Sequence, residues 1–188
     1  MPPNPSLILR PENTLLVVVD MQDAFLRVMH NPEALAANVL LLVQSAGILG
    51  VPIIATTQNA ARLGGIASVV ADVLPADAPA PIDKMTFSCA GSDAFLENLE
   101  QGGRRQILLC GVETHICVSQ TALDLVHLGY QAHVAADAVS SRTVEKHKLG
   151  MERVRDGGTS PCAAEAAVYE LLGAAGTPAF KQILSLVK

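Results

Sequence analysis

Cys110-Gly-Val-Glu-Thr-His-Ile-Cys117, running on into Val118-Ser-Gln-Thr-Ala-Leu-Asp-Leu-Val-His-Leu-Gly-Tyr130, decides how the rest of this chain is read. Ahead of it Gln106-Ile-Leu-Leu-Cys110 is a short apolar run bounded by Gly111, the pattern of a strand buried in a parallel sheet. Behind it Val118, Ala122 and Leu125 recur at helical spacing, as do Ile116, Leu123 and Val126, and Gly129 supplies a stop. Strand, tight turn and helix put Cys117 near a helix N-terminus. Unpaired N–H groups and the helix dipole favour an anion there, so the thiol is expected to lose its proton more easily and to serve as a nucleophile. The same residue also reads as a small apolar side chain at a helix start, and this stretch alone leaves both readings open.

Working outward, the alternation of apolar runs and helical periods continues in both directions. Leu15-Leu-Val-Val-Val19 is a buried strand ending at Asp20. A helix is expected from Pro32 to about Leu49, apolar on nearly every face, and a second strand at Val51–Thr56. Residues 58 to 82 form a long connection with a short helix near Ile66 to Val73, a candidate pocket wall. A third strand at Ile82–Phe87 carries Lys84, and Ser92 caps a helix ended by Gly102 and Gly103. Beyond the central unit come a strand at Gln131–Ala136, helices at about 144–155, 163–172 and 178–187, and a short sixth strand near Thr159 and Ser160. Strands alternating with helices imply a three-layer α/β/α domain spanning residues 1–188, with a mostly parallel, Rossmann-like sheet of about six strands. Ligands of such sheets bind beyond the strand C-termini, where the strand order switches, and Asp20 and Cys117 both fall at that edge.

Composition bounds the function. The 188 residues are 50% hydrophobic with no Trp, so the core is aliphatic, and the net charge of −5 carries no basic stripe for nucleic acid or an anionic membrane. Ala34 to Ala61 is free of charge, but Asn38, Gln44, Gly47, Gly50 and Pro52 break it into helix, turn and strand rather than a membrane span. Four cysteines without short ligand spacing make neither a disulfide framework nor a zinc site, and with no signal-peptide pattern at the start they suggest a reducing cytoplasm. The uncharged, all-round apolar helix leaves more surface than one sheet covers, so a homo-oligomer is expected.

A cysteine nucleophile needs a base and a cation or dipole to hold the thiolate, and Asp20 and Lys84 are candidates for those roles. Val17-Val-Val-Asp-Met-Gln-Asp-Ala-Phe25, Asp83-Lys-Met-Thr-Phe-Ser88 and Gly111-Val-Glu-Thr-His-Ile-Cys-Val-Ser-Gln-Thr-Ala122 resemble, in order, three blocks of the isochorismatase-like cysteine hydrolases. Ala135-Ala-Asp-Ala-Val-Ser-Ser-Arg142 is similar to a fourth, so the resemblance covers nearly the whole chain. It is closest to the small single-domain isochorismatase domain-containing hydrolases.

The resemblance implies a catalytic triad of Asp20, Lys84 and Cys117: Asp20 takes the thiol proton, Lys84 orients and stabilises, and Cys117 attacks a carbonyl to give a thioester. It also implies a cis peptide at Val112–Glu113 that turns the N–H groups of Glu113 and Cys117 toward the developing oxyanion. Nicotinamidases of the family bind a metal through an Asp-x-His motif and another His after the second strand. Here that region reads Thr56-Thr-Gln-Asn-Ala-Ala-Arg62, so no metal and no cofactor are expected. Phe25, Gln58, Phe87 and His115 are candidate pocket residues, whereas Cys110 reads as core and Glu113 has no assigned side-chain role. The expected activity is hydrolysis of a small-molecule amide or related carbonyl compound. An esterase or thioesterase with the same triad, or a non-catalytic interaction module, is the alternative.

Overall fold

A computed structural model of the chain describes residues 7–187. Six strands, β1 (Thr14–Val19), β2 (Ile53–Gln58), β3 (Ile82–Lys84), β4 (Gln106–Val112), β5 (Gln131–Ser140) and β6 (Ser160–Cys162), form one sheet in the order β3-β2-β1-β4-β5-β6. All five pairings are parallel. Between them run α1 (Asp23–Leu26), α2 (Pro32–Leu49), α3 (Ala60–Leu63), α4 (Ser68–Ala71), α5 (Asp93–Gly102), α6 (Ser119–His127), α7 (Val144–Asp156), α8 (Ala164–Leu172) and α9 (Pro178–Leu184).

The strands are unbroken apolar runs because both sheet faces are covered. Leu16 and Val18 of β1 face a core completed by Leu35, Val39 and Leu42 of α2 and by Val168 and Leu171 of α8. Leu15, Val17 and Val19 face the other core, with Phe95 and Leu99 of α5, Ala122 and Leu125 of α6, and Val154 of α7. The result is three layers.

The connections run outward from the middle of the sheet in two directions. β1 leads to β2 and β3 on one side, while β4, paired with β1, leads to β5 and β6 on the other. The order therefore switches between β1 and β4, and the chain leaves these two strands at Asp20 and at the turn before Cys117. Gly111, opposite Val19 in register, makes this close approach possible. Its φ is 108°, and a Cβ there would collide with the Val19 carbonyl.

The structure corrects some sequence expectations and bears out others. The apolar helix α2 is covered inside the chain: α4, α8 and α9 pack on it, and Leu40, Leu41, Ile48 and Leu49 are all half-buried. Its composition therefore does not by itself require a partner subunit. Gly50 (φ 65°) ends it and the chain turns into β2, so the uncharged stretch breaks into helix, turn and strand. β3 stops at Lys84 instead of reaching Phe87, for a reason that lies in the site. β5 runs on to Ser140 past a register shift opposite Leu109 and Gly111. The connection after β2 holds two single-turn helices, α3 and α4, and Ile66 bridges to Gln22.

Candidate active site

Asp20 follows β1 directly, with φ at 49°, a left-handed conformation that Asp tolerates better than most residues. Its side chain is fully buried and both oxygens are engaged. Oδ1 accepts the Thr56 hydroxyl at 2.7 Å and Oδ2 accepts Lys84 Nζ at 2.7 Å. Lys84 is itself 3% exposed, a place a lysine keeps only when its charge is paired and its hydrogens are bonded. Three ammonium hydrogens meet four oxygens: Asp20 Oδ2, Gln58 Oε1 at 2.8 Å, Phe87 O at 3.2 Å and Thr86 O at 3.3 Å. The segment after Lys84 curls back to bring those two carbonyls onto the ammonium, and so β3 cannot continue.

Cys117 lies in a π-turn, Thr114–Val118, between β4 and α6. The Glu113 carbonyl accepts the N–H of Ile116 at 3.0 Å and of Val118 at 3.2 Å, on either side of Cys117. The Val112–Glu113 peptide is cis. The turn is held from outside at several points, among them Thr114 Oγ1 3.0 Å from His147 Nδ1 and the His115 N–H donating to Ser141 Oγ at 3.4 Å. Glu113 Oε2 accepts both the backbone N–H and the Nε–H of Arg142 at 3.1 Å. Gly150 of α7 sits so close to the His115 backbone that a Cβ would collide with it.

The sequence expectation of an easily ionised thiol is overturned. Cys117 is 6% exposed, and its thiol is pushed from the ordinary 9.0 up to about 12. Burial is the largest cause; the Asp20 charge and a hydrogen bond to Asp20 act in the same direction, and Lys84 offsets only part of it. The resting group is a neutral thiol beside a carboxylate. Desolvation has outweighed the helix start.

The structure thus brings Asp20, Lys84 and Cys117 together and sorts the remaining candidates. Gln58 is not an open wall residue, because its amide bridges Lys84 Nζ and Met85 O. Phe25 is half-buried against the α2-side core, while Phe87 is 56% exposed and gives its carbonyl to Lys84. His115 is half-exposed, with Nδ1 2.9 Å from Ser141 Oγ, and partial burial lowers its pKa. Asp137 accepts the Ala164 N–H and so caps α8. Cys89 is fully buried 3.8 Å from the Thr56 hydroxyl, and burial pushes its thiol to about 11. Thr56 and the Glu113–Arg142 pair escaped the sequence reading, since partners 29 to 36 residues apart leave no local signal.

A groove of about 500 Å³ lies elsewhere, at the opposite sheet edge, lined by Leu15, Gly47, Ile53, Pro75 and Arg104 among others. Pro75, Asp77, Ala78 and Pro79 of the 58–82 connection, read from the sequence as a candidate pocket wall, border that groove.

Comparison with known proteins bears on the family and the fold. The family model of the isochorismatase domain matches residues 14–166. The secreted isochorismatase effector Isc1 of Phytophthora sojae is 38% identical over 183 residues, covering 95% of this chain and 86% of its own. The solved MAR1 ribonuclease of Caenorhabditis elegans superposes with a TM-score of 0.89 at 29% identity, covering 95% of this chain and 91% of that one. The YcaC gene product of Escherichia coli, described as an octameric hydrolase of unknown specificity, superposes at 0.90 with 22% identity, covering 97% and 92%. With the domain match extending over most of its length, the chain belongs to the isochorismatase domain family.

Proposed function

We propose that this protein is a cysteine-dependent hydrolase of a small amide-type or related carbonyl substrate, working through Cys117, Asp20 and Lys84 without a cofactor. The observation that carries the reading is the buried Lys84–Asp20 pair at 2.7 Å with the buried Cys117 thiol beside it, close enough to feel both charges. A nucleophile, its base and a fixed cation are thereby in one water-poor place. In the reaction Asp20 takes the thiol proton as sulfur bonds to the carbonyl carbon. The N–H groups of Glu113 and Cys117 receive the oxyanion. Asp20 then returns the proton to the departing amine as the C–N bond breaks, leaving a thioester. Water, deprotonated by Asp20, hydrolyses the thioester and restores the thiol.

The test is a screen of small amides, esters and thioesters with intact-mass detection of an acyl adduct. Cys117→Ala is expected to lose both turnover and adduct while keeping the wild-type melting curve. A variant that turns over substrate at near the wild-type rate sinks nucleophilic cysteine catalysis. A wild-type protein that turns over no amide, ester or thioester of the screen and forms no acyl adduct replaces the reading with a non-catalytic interaction module. The name of the nematode neighbour points to RNA, but a net charge of −5 gives a phosphate backbone little to hold here.

Self-association is part of the proposal. Met85 and Phe87, 71% and 56% exposed, form an apolar rim beside Lys84, and an octameric assembly is described for the bacterial neighbour. Free cysteines suit a reducing, cytoplasmic setting.

A further inference from the structure

We propose that Gln58 is a positioning residue of this site, holding Lys84 in place when the thiol proton moves to Asp20; the assignment rests on the hydrolase reading above. In the resting state the Lys84 ammonium faces one carboxylate and three neutral oxygens. When Cys117 gives up its proton, the S–H bond breaks, an O–H bond forms on Asp20, and the negative charge passes to sulfur. Lys84 has then lost its adjoining anion and must turn its field to the thiolate from an unchanged position. Among the described residues, Gln58 Oε1 is the side-chain oxygen that still grips the ammonium; the other two acceptors are the backbone carbonyls of Thr86 and Phe87.

The amide of Gln58 is built for that task. Its oxygen accepts Lys84 Nζ at 2.8 Å while its Nε2 donates to Met85 O at 3.1 Å, so it cannot flip without losing both bonds. The residue is almost fully buried, and its backbone is clamped in turn. Gln58 N donates to Gln22 Oε1 at 2.7 Å, and Gln22 Nε2 donates to Gln58 O and to Gly64 O. Gln22 stands two residues beyond Asp20. The clamp thus ties the strand carrying Gln58 to the turn carrying the base, and fixes Lys84 relative to both. Neutrality matters as much as reach. A carboxylate at position 58 would compete with Asp20 and then with the thiolate for the same ammonium.

The experiment needs no substrate. Wild type, Gln58→Met, Gln58→Glu and Lys84→Ala are treated with limiting iodoacetamide at pH 8, and the rate at each cysteine is read by peptide mass spectrometry. Gln58→Glu, which keeps the shape and adds a charge against Lys84, is expected to slow Cys117 by about tenfold or more. Gln58→Met, which keeps the length and removes the acceptor, is expected to slow it by about threefold, and Lys84→Ala by at least as much as Gln58→Glu. Cys110 and Cys162, on which Lys84 has no electrostatic hold, should keep their wild-type rates, whereas Cys89, whose thiol Lys84 also lowers, can follow Cys117 only in the direction of slowing. If both Gln58 variants alkylate like wild type while Lys84→Ala is slowed, Gln58 has no hold on the site's electrostatics. If all four thiols speed up together, the substitution has loosened the fold and the local role is overturned. Where a substrate is in hand, Gln58→Met should lower kcat with KM unchanged, and a raised KM at unchanged kcat would return Gln58 to the pocket wall. A protein with no turnover of any substrate removes the hydrolase reading, while the alkylation series still decides the Gln58–Lys84–Cys117 coupling.

Discussion

Replacing Asp20 by Asn separates the two things a carboxylate does beside this thiol. After burial, the negative charge of Asp20 is the next cause that keeps the thiol protonated and raises it above its ordinary value. Removing the charge while Lys84 stays must make Cys117 more acidic. At about 12, the wild-type thiol has roughly a thousandfold less thiolate at pH 8 than a cysteine at 9.0, so there is wide room for alkylation to rise. Turnover must move the opposite way, because an amide cannot accept the proton or return it to the leaving amine; loss of such a base costs about 10²–10⁴-fold. Stability falls as well. Breaking a buried ion pair by removing one partner costs about 3–5 kcal/mol, and here the lower end applies because three neutral oxygens still hold Lys84. For a chain of this size about 3 kcal/mol lowers Tm by about 6–12 °C. The assays are iodoacetamide labelling across pH, calorimetric melting, and turnover of any substrate the screen supplies. Asp20→Asn labelling more slowly than wild type, or retaining turnover within about threefold, would refute the electrostatic account of the site.

The buried thiols and histidines set a pH window for stability. Cys89, Cys110, Cys117 and Cys162 are all raised above 9.0 in the fold, so their contribution is complete below pH 9 and is lost progressively as pH climbs above it. His133, buried and lowered from 6.5 chiefly by desolvation, acts with the opposite sign, so stability should fall again below pH 6.5. Denaturant midpoints between pH 5 and 11 check both limbs, and a flat profile above pH 9 would contradict the burial of the thiols. Gly111→Ala is expected to destabilise the fold by about 3 kcal/mol or more and to abolish Cys117-dependent turnover, since β1 and β4 must separate at Val19; an unchanged melting curve would disprove the close approach. Light scattering at micromolar concentration should give a multiple of 19.7 kDa, and Phe87→Ser should lower that mass; a monomer in wild type ends the self-association proposal.

What the sequence determined by itself was everything that repeats locally or is carried by residue type. Alternating apolar runs and helical periods yielded the six-stranded α/β architecture, because a parallel sheet covered on both faces demands continuous runs such as Leu15–Val19 and Ile107–Cys110. The quoted blocks also sufficed to name the family and to pick out Asp20, Lys84 and Cys117, which the folded chain brings together. What tertiary structure decided was whatever depends on burial or on partners far apart in the chain. The polarity of the Cys117 thiol was misread because a helix start is visible in sequence, whereas the desolvation and the carboxylate that outweigh it come from other strands. Gln58 appeared as pocket wall because the sequence does not show that Lys84, 26 residues away, consumes its oxygen. Glu113 had no role until Arg142 arrived from the end of β5, and α2 looked unpartnered until α8 and α9 folded back over it. Periodicity is a property of neighbours along the chain, while dielectric environment and hydrogen-bond partnership are properties of neighbours in space.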